Sequence, residues 1–117
     1  MQEERKLSKR ALKALSSPGA RLFVSVVSVW EILVKRQAGK LMTSIDPDVI
    51  VQTIRSQEAW RILPLEIAHI QALNDIARFS DHTDPFDRIL IAQARSEKLD
   101  IMTADPRFSR YGAGIVW

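Results

Sequence analysis

The chain has 117 residues, of which 46% are hydrophobic and 26% charged, a balance that excludes a disordered chain and bounds the molecule to a single domain over 1–117. It contains no cysteine, which excludes a disulfide scaffold, a thiolate zinc site and a cysteine nucleophile. The net charge of +3 is unevenly laid out: residues 1–40 carry nine Lys/Arg against three Glu, and residues 41–117 carry eight against eleven Asp/Glu. A basic front and an acidic back suit a nucleic-acid partner beside a cation-binding carboxylate cluster, and equally an ordinary basic surface helix.

In chain order, Leu7, Ala11, Leu12 and Leu15 recur at helical spacing and predict a helix over 3–15, ended by Ser16-Ser17-Pro18-Gly19. Leu22 to Val26 reads as a short buried strand. In the helix that follows, Ser28 and Glu31 have the S-x-x-E spacing of a capping box, and Gly39 stands where a left-handed C′ residue is expected. Asp46-Pro47 opens a third helix with Val49, Ile50 and Ile54 on its apolar face. Arg61-Ile62-Leu63 is a second strand. Ile67, Ile70, Leu73, Ile76 and Ala77 predict a fourth helix running to about Phe79. After the polar loop 80–83, Asp84-Pro85 opens a fifth helix that runs to Leu99. Residues 100–103 form a third strand, Ala104-Asp105-Pro106 starts a turn, and 114–117 is a last strand. Strands alternating with helices predict an α/β protein with a mostly parallel sheet covered on both faces.

In such a sheet, helix N-termini gather at the edge formed by the strands' carboxyl ends, where ligands bind. The pattern sends Glu31 (expected at N3 of its helix), Asp84, Asp87 and Asp105 towards that edge. Carboxylates crowded together repel one another unless a cation neutralises them, and oxygen donors alone suit Mg²⁺ or Mn²⁺. A site of that kind supports metal-assisted phosphodiester cleavage. Each acid also has a local reason for its position, as a helix cap, a helix-dipole partner or a turn opener. Arg88, Arg107 and Arg110 are candidates for phosphate contacts and equally for surface charges.

Other chemistries have less support. The four glycines are scattered at turns, so there is no phosphate-binding loop. His69 and His82 make neither a zinc motif nor a catalytic triad. Trp30, Trp60 and Trp117 read as core or interface anchors rather than base-stacking platforms. The apolar run 22–34 is interrupted by Ser25, Ser28 and Glu31 and is too short for a bilayer. The first six residues lack the apolar core of a signal peptide, so a cytoplasmic location with no membrane is expected.

Ser28-Val29-Trp30-Glu31-Ile32, the run from Asp84 to Ala94 and Thr103-Ala104-Asp105-Pro106 resemble PIN-domain toxins of the VapC type, as do Gly39-Lys40-Leu41 and Gly114 to Trp117. The resemblance spans about Leu7 to Trp117. It implies a PIN-like three-layer fold and a Mg²⁺-dependent endoribonuclease, the toxin of a type II toxin–antitoxin pair. Its partners would be an RNA substrate and a cognate antitoxin, and the implied oligomer is a homodimer. Carried over, Glu31, Asp87 and Asp105 are catalytic metal-site carboxylates, Asp84 is an accessory acid or cap, and Thr103 is a polar residue at the site's edge. Family members commonly open with a hydrophobic strand bearing an aspartate, of Leu-Leu-Asp-Thr-His type, in the middle of the sheet. No such segment stands here, so the expectation is a chain truncated relative to the family or begun too late. Unpaired edges on the neighbouring strands and weakened metal binding would follow. The competing expectation is a non-catalytic toxin remnant that binds antitoxin or dimerises.

Overall fold

The computed structural model describes residues 8–39 and 46–117. The expected helix start at residue 3, Leu7 and the Lys40-Leu41 pair lie outside those residues. The first helix, α1 (Lys9–Ser16), is capped by Ser8, whose hydroxyl accepts the Ala11 N–H at 3.1 Å. Strand β1 (Leu22–Ser25) runs directly into α2 (Val26–Gln37) with no intervening loop.

That direct junction corrects the expected capping box. Ser25, the last strand residue, is the N-cap and accepts from the Val27 N–H at 3.1 Å. Its hydroxyl also donates to the Gln93 side chain. Ser28 is therefore inside the helix, and Glu31 is in the second turn rather than at N3. With a helix begun three residues early, Glu31 sits about 4.5 Å further along the axis than expected. At the other end Gly39 is the C′ residue at φ +72°, as the sequence predicts.

Helix α3 (Pro47–Ser56) is capped by Asp46 through the Asp48 N–H at 2.9 Å, with Pro47 in its first turn. Of its expected apolar face, Ile54 is buried and Val49 is exposed. Strand β2 (Trp60–Leu63) pairs in parallel with β1, Leu22 opposite Trp60 and Ser25 opposite Leu63.

The expected long fourth helix is shorter. Helix α4 (Ile67–Ala72) gives way to one 3-10 turn, Leu73–Asp75, leaving Ile67 and Ile70 exposed while Ile76 is buried. Guanidinium groups from the fifth helix satisfy carbonyls at and just past the end of this turn. Arg95 donates to the Asp75 carbonyl at 3.3 Å, and Arg88 to those of Ile76 and Ala77 at 3.3 and 2.8 Å. The chain then turns tightly, with the His82 N–H donating to the Phe79 carbonyl at 3.1 Å.

Helix α5 (Pro85–Glu97) is the most buried element, with Ile89, Ile91, Ala92, Gln93 and Ala94 all out of solvent. It ends at Lys98, a non-glycine residue held at φ 56°. The core around it includes Val27, Ile76, Phe108 and Tyr111. Strand β3 (Ile101–Met102), the 3-10 helix Pro106–Tyr111 and strand β4 (Ile115–Val116) complete the chain.

The architecture is α/β with parallel strands, but the expected single sheet is divided. β1 pairs only with β2, and β3 only with β4, among the described residues. A cavity of about 610 Å³ lies between the pairs, lined by Leu22 and Val24 of β1, Leu90 and Ala94 of α5, Ile101 of β3 and Val116 of β4. Sequence periodicity identifies strands but not their lateral neighbours; the unpaired edges are an expectation of the family resemblance alone. No helix among the described residues is long and apolar enough to cross a membrane.

The junction yields a stability prediction. Ser25→Ala removes the α2 cap and strands a buried Gln93 oxygen, and is expected to cost about 1–3 kcal/mol in chemical denaturation. Ser28→Ala, at a helix-interior position, is expected to change stability by less than about 0.5 kcal/mol.

Candidate metal centre

The start of α5 organises the acidic edge. Asp84 is its N-cap, Oδ1 accepting the N–H groups of Phe86 at 2.8 Å and Asp87 at 3.2 Å, and Pro85 occupies N1. Three residues on, Asp87 is held in the first turn, near the positive end of the helix. Glu31 approaches from α2, so that ligand atoms of Glu31, Asp84 and Asp87 all lie within 4.8 Å of one another. A second cluster shares Asp87 and joins it to Asp105 and His82 within the same limit. All four sequence-predicted carboxylates thus meet through Asp87, although Glu31 and Asp105 belong to different clusters. Glu31 reaches the edge despite its shifted helical position.

Each acid has its own compensating partner. Lys35, one turn along α2, is ion-paired to Glu31, and that bond raises the lysine pKa above its ordinary value. Asp105 caps the 3-10 helix, accepting the Arg107 N–H at 2.9 Å. The Arg107 guanidinium also grips the Asp105 carboxylate, Nε at 3.1 Å from both oxygens and an Nη at 2.7 Å. These bonds pull the Asp105 pKa down to about 2. Thr103 stands behind Asp105, its Oγ1 accepting the Asp105 N–H at 3.1 Å.

The three arginines proposed for phosphate contacts all have internal partners. Arg88 is committed to the Ile76 and Ala77 carbonyls. Arg107 adds to its Asp105 contacts a 2.7 Å bond to the Asp81 carbonyl. Arg110 binds the Asp81 carboxylate at 2.9 Å and lies 4.1 Å above the centre of the Phe79 ring. Trp30, expected as an anchor, is 54% exposed and packs edge-on against Phe86 with ring centres 4.9 Å apart.

Two residues of the site escaped sequence reasoning. His82 is 1% exposed, with Nε2 at 2.8 Å from Asp87 Oδ2 and Nδ1 at 2.9 Å from the Tyr111 hydroxyl. Proximity of His82 to Asp84 and Asp87 in the chain was a usable signal; the link to Tyr111, 29 residues away, was not. His69 is unrelated to the site. It is buried at the start of α4, accepting the Glu66 N–H at 3.0 Å and contacting Glu97 at 2.8 Å.

A parallel α/β scaffold brings carboxylates together at a helix N-terminus, and the all-oxygen set of Glu31, Asp84 and Asp87 is one that could hold a hard divalent cation. The PIN domain family model matches residues 1–114, and the chain belongs to that family. PIN domains are generally metal-dependent nucleases. No curated protein matches the chain.

The Arg107 clamp makes a titration prediction. A carboxylate with a depressed pKa adds stability that is fully present above its unfolded value, 3.8, and is lost as pH falls towards about 2. In Arg107→Ala, the Asp105 carboxyl carbon is expected to titrate back towards 3.8 in a ¹³C NMR series, and the acid-side stability between those pH values to shrink.

Proposed function

We propose that the protein is a Mg²⁺-dependent endoribonuclease, the toxin of a type II toxin–antitoxin pair of the VapC type. The observation that carries this reading is the meeting of Glu31, Asp84 and Asp87 within 4.8 Å at the start of α5, with Asp105 joined through Asp87. Glu31, Asp87 and Asp105 are the metal-site carboxylates, Asp84 supplies its uncommitted oxygen or serves as cap, and Thr103 holds the Asp105 turn. When bound, Mg²⁺, or Mn²⁺ in its place, supplies charge neutralisation on the phosphoryl oxygens and acidifies the attacking water. The chain's own contribution is orientation: the start of α5, the second turn of α2 and the start of the 3-10 helix aim the acids at one edge. Arg107, paired with Asp105, and Arg110, paired with Asp81, are the exposed cations for RNA phosphate contacts, whereas Arg88 is given to the Ile76 and Ala77 carbonyls. An antitoxin partner, a homodimer and a cytoplasmic location belong to the same reading.

The divided sheet favours a second reading, a remnant that binds antitoxin without cleaving RNA. Its support is the 610 Å³ cavity bordered by β1 and β3, each of which has one unpaired edge among the described residues. Under this reading antitoxin affinity is indifferent to Mg²⁺ and to Asp87→Asn.

The nuclease reading predicts RNA cleavage by the purified protein in Mg²⁺, its loss in EDTA, and a drop of at least about 100-fold in Asp87→Asn with the circular dichroism spectrum unchanged. Cleavage that persists in EDTA or in the variant overturns it.

A further inference from the structure

We infer that His82 is a positioning residue that, with Tyr111 behind it, aims the Asp87 carboxylate at the cation. The inference rests on the metal-site reading above and deepens it. His82 is seated in a closed box. It is 1% exposed, and its ring packs against Phe108 and Tyr111 with centroids 5.1 and 5.4 Å away, those two residues being 6% and 3% exposed. Burying an imidazole is unfavourable unless both nitrogens find partners, and here both do.

The chemistry of the partners fixes the direction of the chain of bonds. An ionised carboxylate only accepts, so the bond to Asp87 requires a proton on Nε2. In the neutral ring Nδ1 is then an acceptor, and the Tyr111 hydroxyl donates to it. The order is Tyr111 O–H to His82 Nδ1, then His82 Nε2–H to Asp87 Oδ2. Asp87 thereby sets the tautomer, and the Tyr111 hydroxyl, able to donate or accept, satisfies the nitrogen left over and fixes the ring in place. With both nitrogens spent, His82 is not itself a ligand, although it lies within 4.8 Å of Asp87 and Asp105.

What this arrangement does is restrict Asp87. A first-turn aspartate otherwise samples several rotamers, and a cation that shares it with Glu31 and Asp84 needs one. The bond from the immobile imidazole occupies one Oδ2 position and holds the carboxylate plane, leaving the remaining lone pairs for the cation. Partners of this kind, one step removed from a metal, are worth about 10–100-fold in affinity or activity.

The decisive measurement is Mn²⁺ affinity, by electron paramagnetic resonance of free Mn²⁺, with folding followed separately by thermal melts. His82→Leu, similar in bulk and lacking the donor, is expected to weaken Mn²⁺ binding about 10–100-fold. It should lower kcat for RNA cleavage while leaving KM for RNA within about two-fold. His82→Gln, which returns an N–H donor near the Nε2 position, is expected to recover most of the affinity. Asp87→Asn separates the two levels of the reading. If it leaves Mn²⁺ binding intact, the metal site itself is wrong. If it abolishes binding while His82→Leu binds like the parent, the metal site stands and the role of His82 falls. A variant that fails to fold is bypassed by long-range ¹H–¹⁵N spectra of the unaltered protein. These should show the Nε2–H tautomer of His82; the Nδ1–H tautomer in the parent overturns the proposal.

Discussion

Like-charge repulsion at the start of α5 is the constraint to which the rest of the molecule answers. Glu31, Asp84, Asp87 and Asp105 arrive from separate parts of the chain and meet around a single aspartate. Each charge is offset differently: a lysine one turn away for Glu31, two backbone N–H groups for Asp84, a buried imidazole for Asp87, and a guanidinium for Asp105. Two of these partners, the imidazole and the backbone, donate without having to carry full positive charge. The cluster consequently keeps a net negative charge, its four carboxylates facing, among the described residues, only the two full cations of Lys35 and Arg107.

Helix α5 holds that cluster still. Its middle is buried among Val27, Ile76, Phe108 and Tyr111, and residues from its polar side bind neighbouring backbone. Gln93 ties β1 to α5 through Ser25 and donates to the Pro64 carbonyl at 3.2 Å, while Arg88 and Arg95 terminate the fourth helical segment. The helix that presents Asp84 and Asp87 is therefore braced by the strand, by α4 and by the C-terminal 3-10 helix together. Rigid support of this sort turns a group of acids into a site with defined geometry.

Local chemistry was legible in the sequence, and long-range pairing was not. The Asp46-Pro47 and Asp84-Pro85 openings and the left-handed Gly39 are decided within three or four residues, and all three are where the pattern puts them. The α2 cap is the instructive failure. Two serines three residues apart both satisfy part of a capping pattern, and the choice of Ser25 is made by Gln93, 68 residues away. Likewise the apolar spacing of residues 67–77 continues past the point where distant arginines end the helix. The carboxylate edge was readable because strand and helix order alone locates helix N-termini. The imidazole behind it was hidden because Tyr111 is joined to His82 only by the fold.

The divided sheet bears on where a further strand would add. Each described strand has one hydrogen-bonded neighbour, and β1 and β3 border the same apolar cavity. An uncovered edge offers main-chain donors and acceptors in a row, and these pair with any extended chain irrespective of its sequence. Because the gap is lined by Leu22, Leu90 and Ile101, such pairing would also remove apolar surface from water. Among the described residues the crevice is therefore the place where an added strand would gain main-chain hydrogen bonds and apolar burial together.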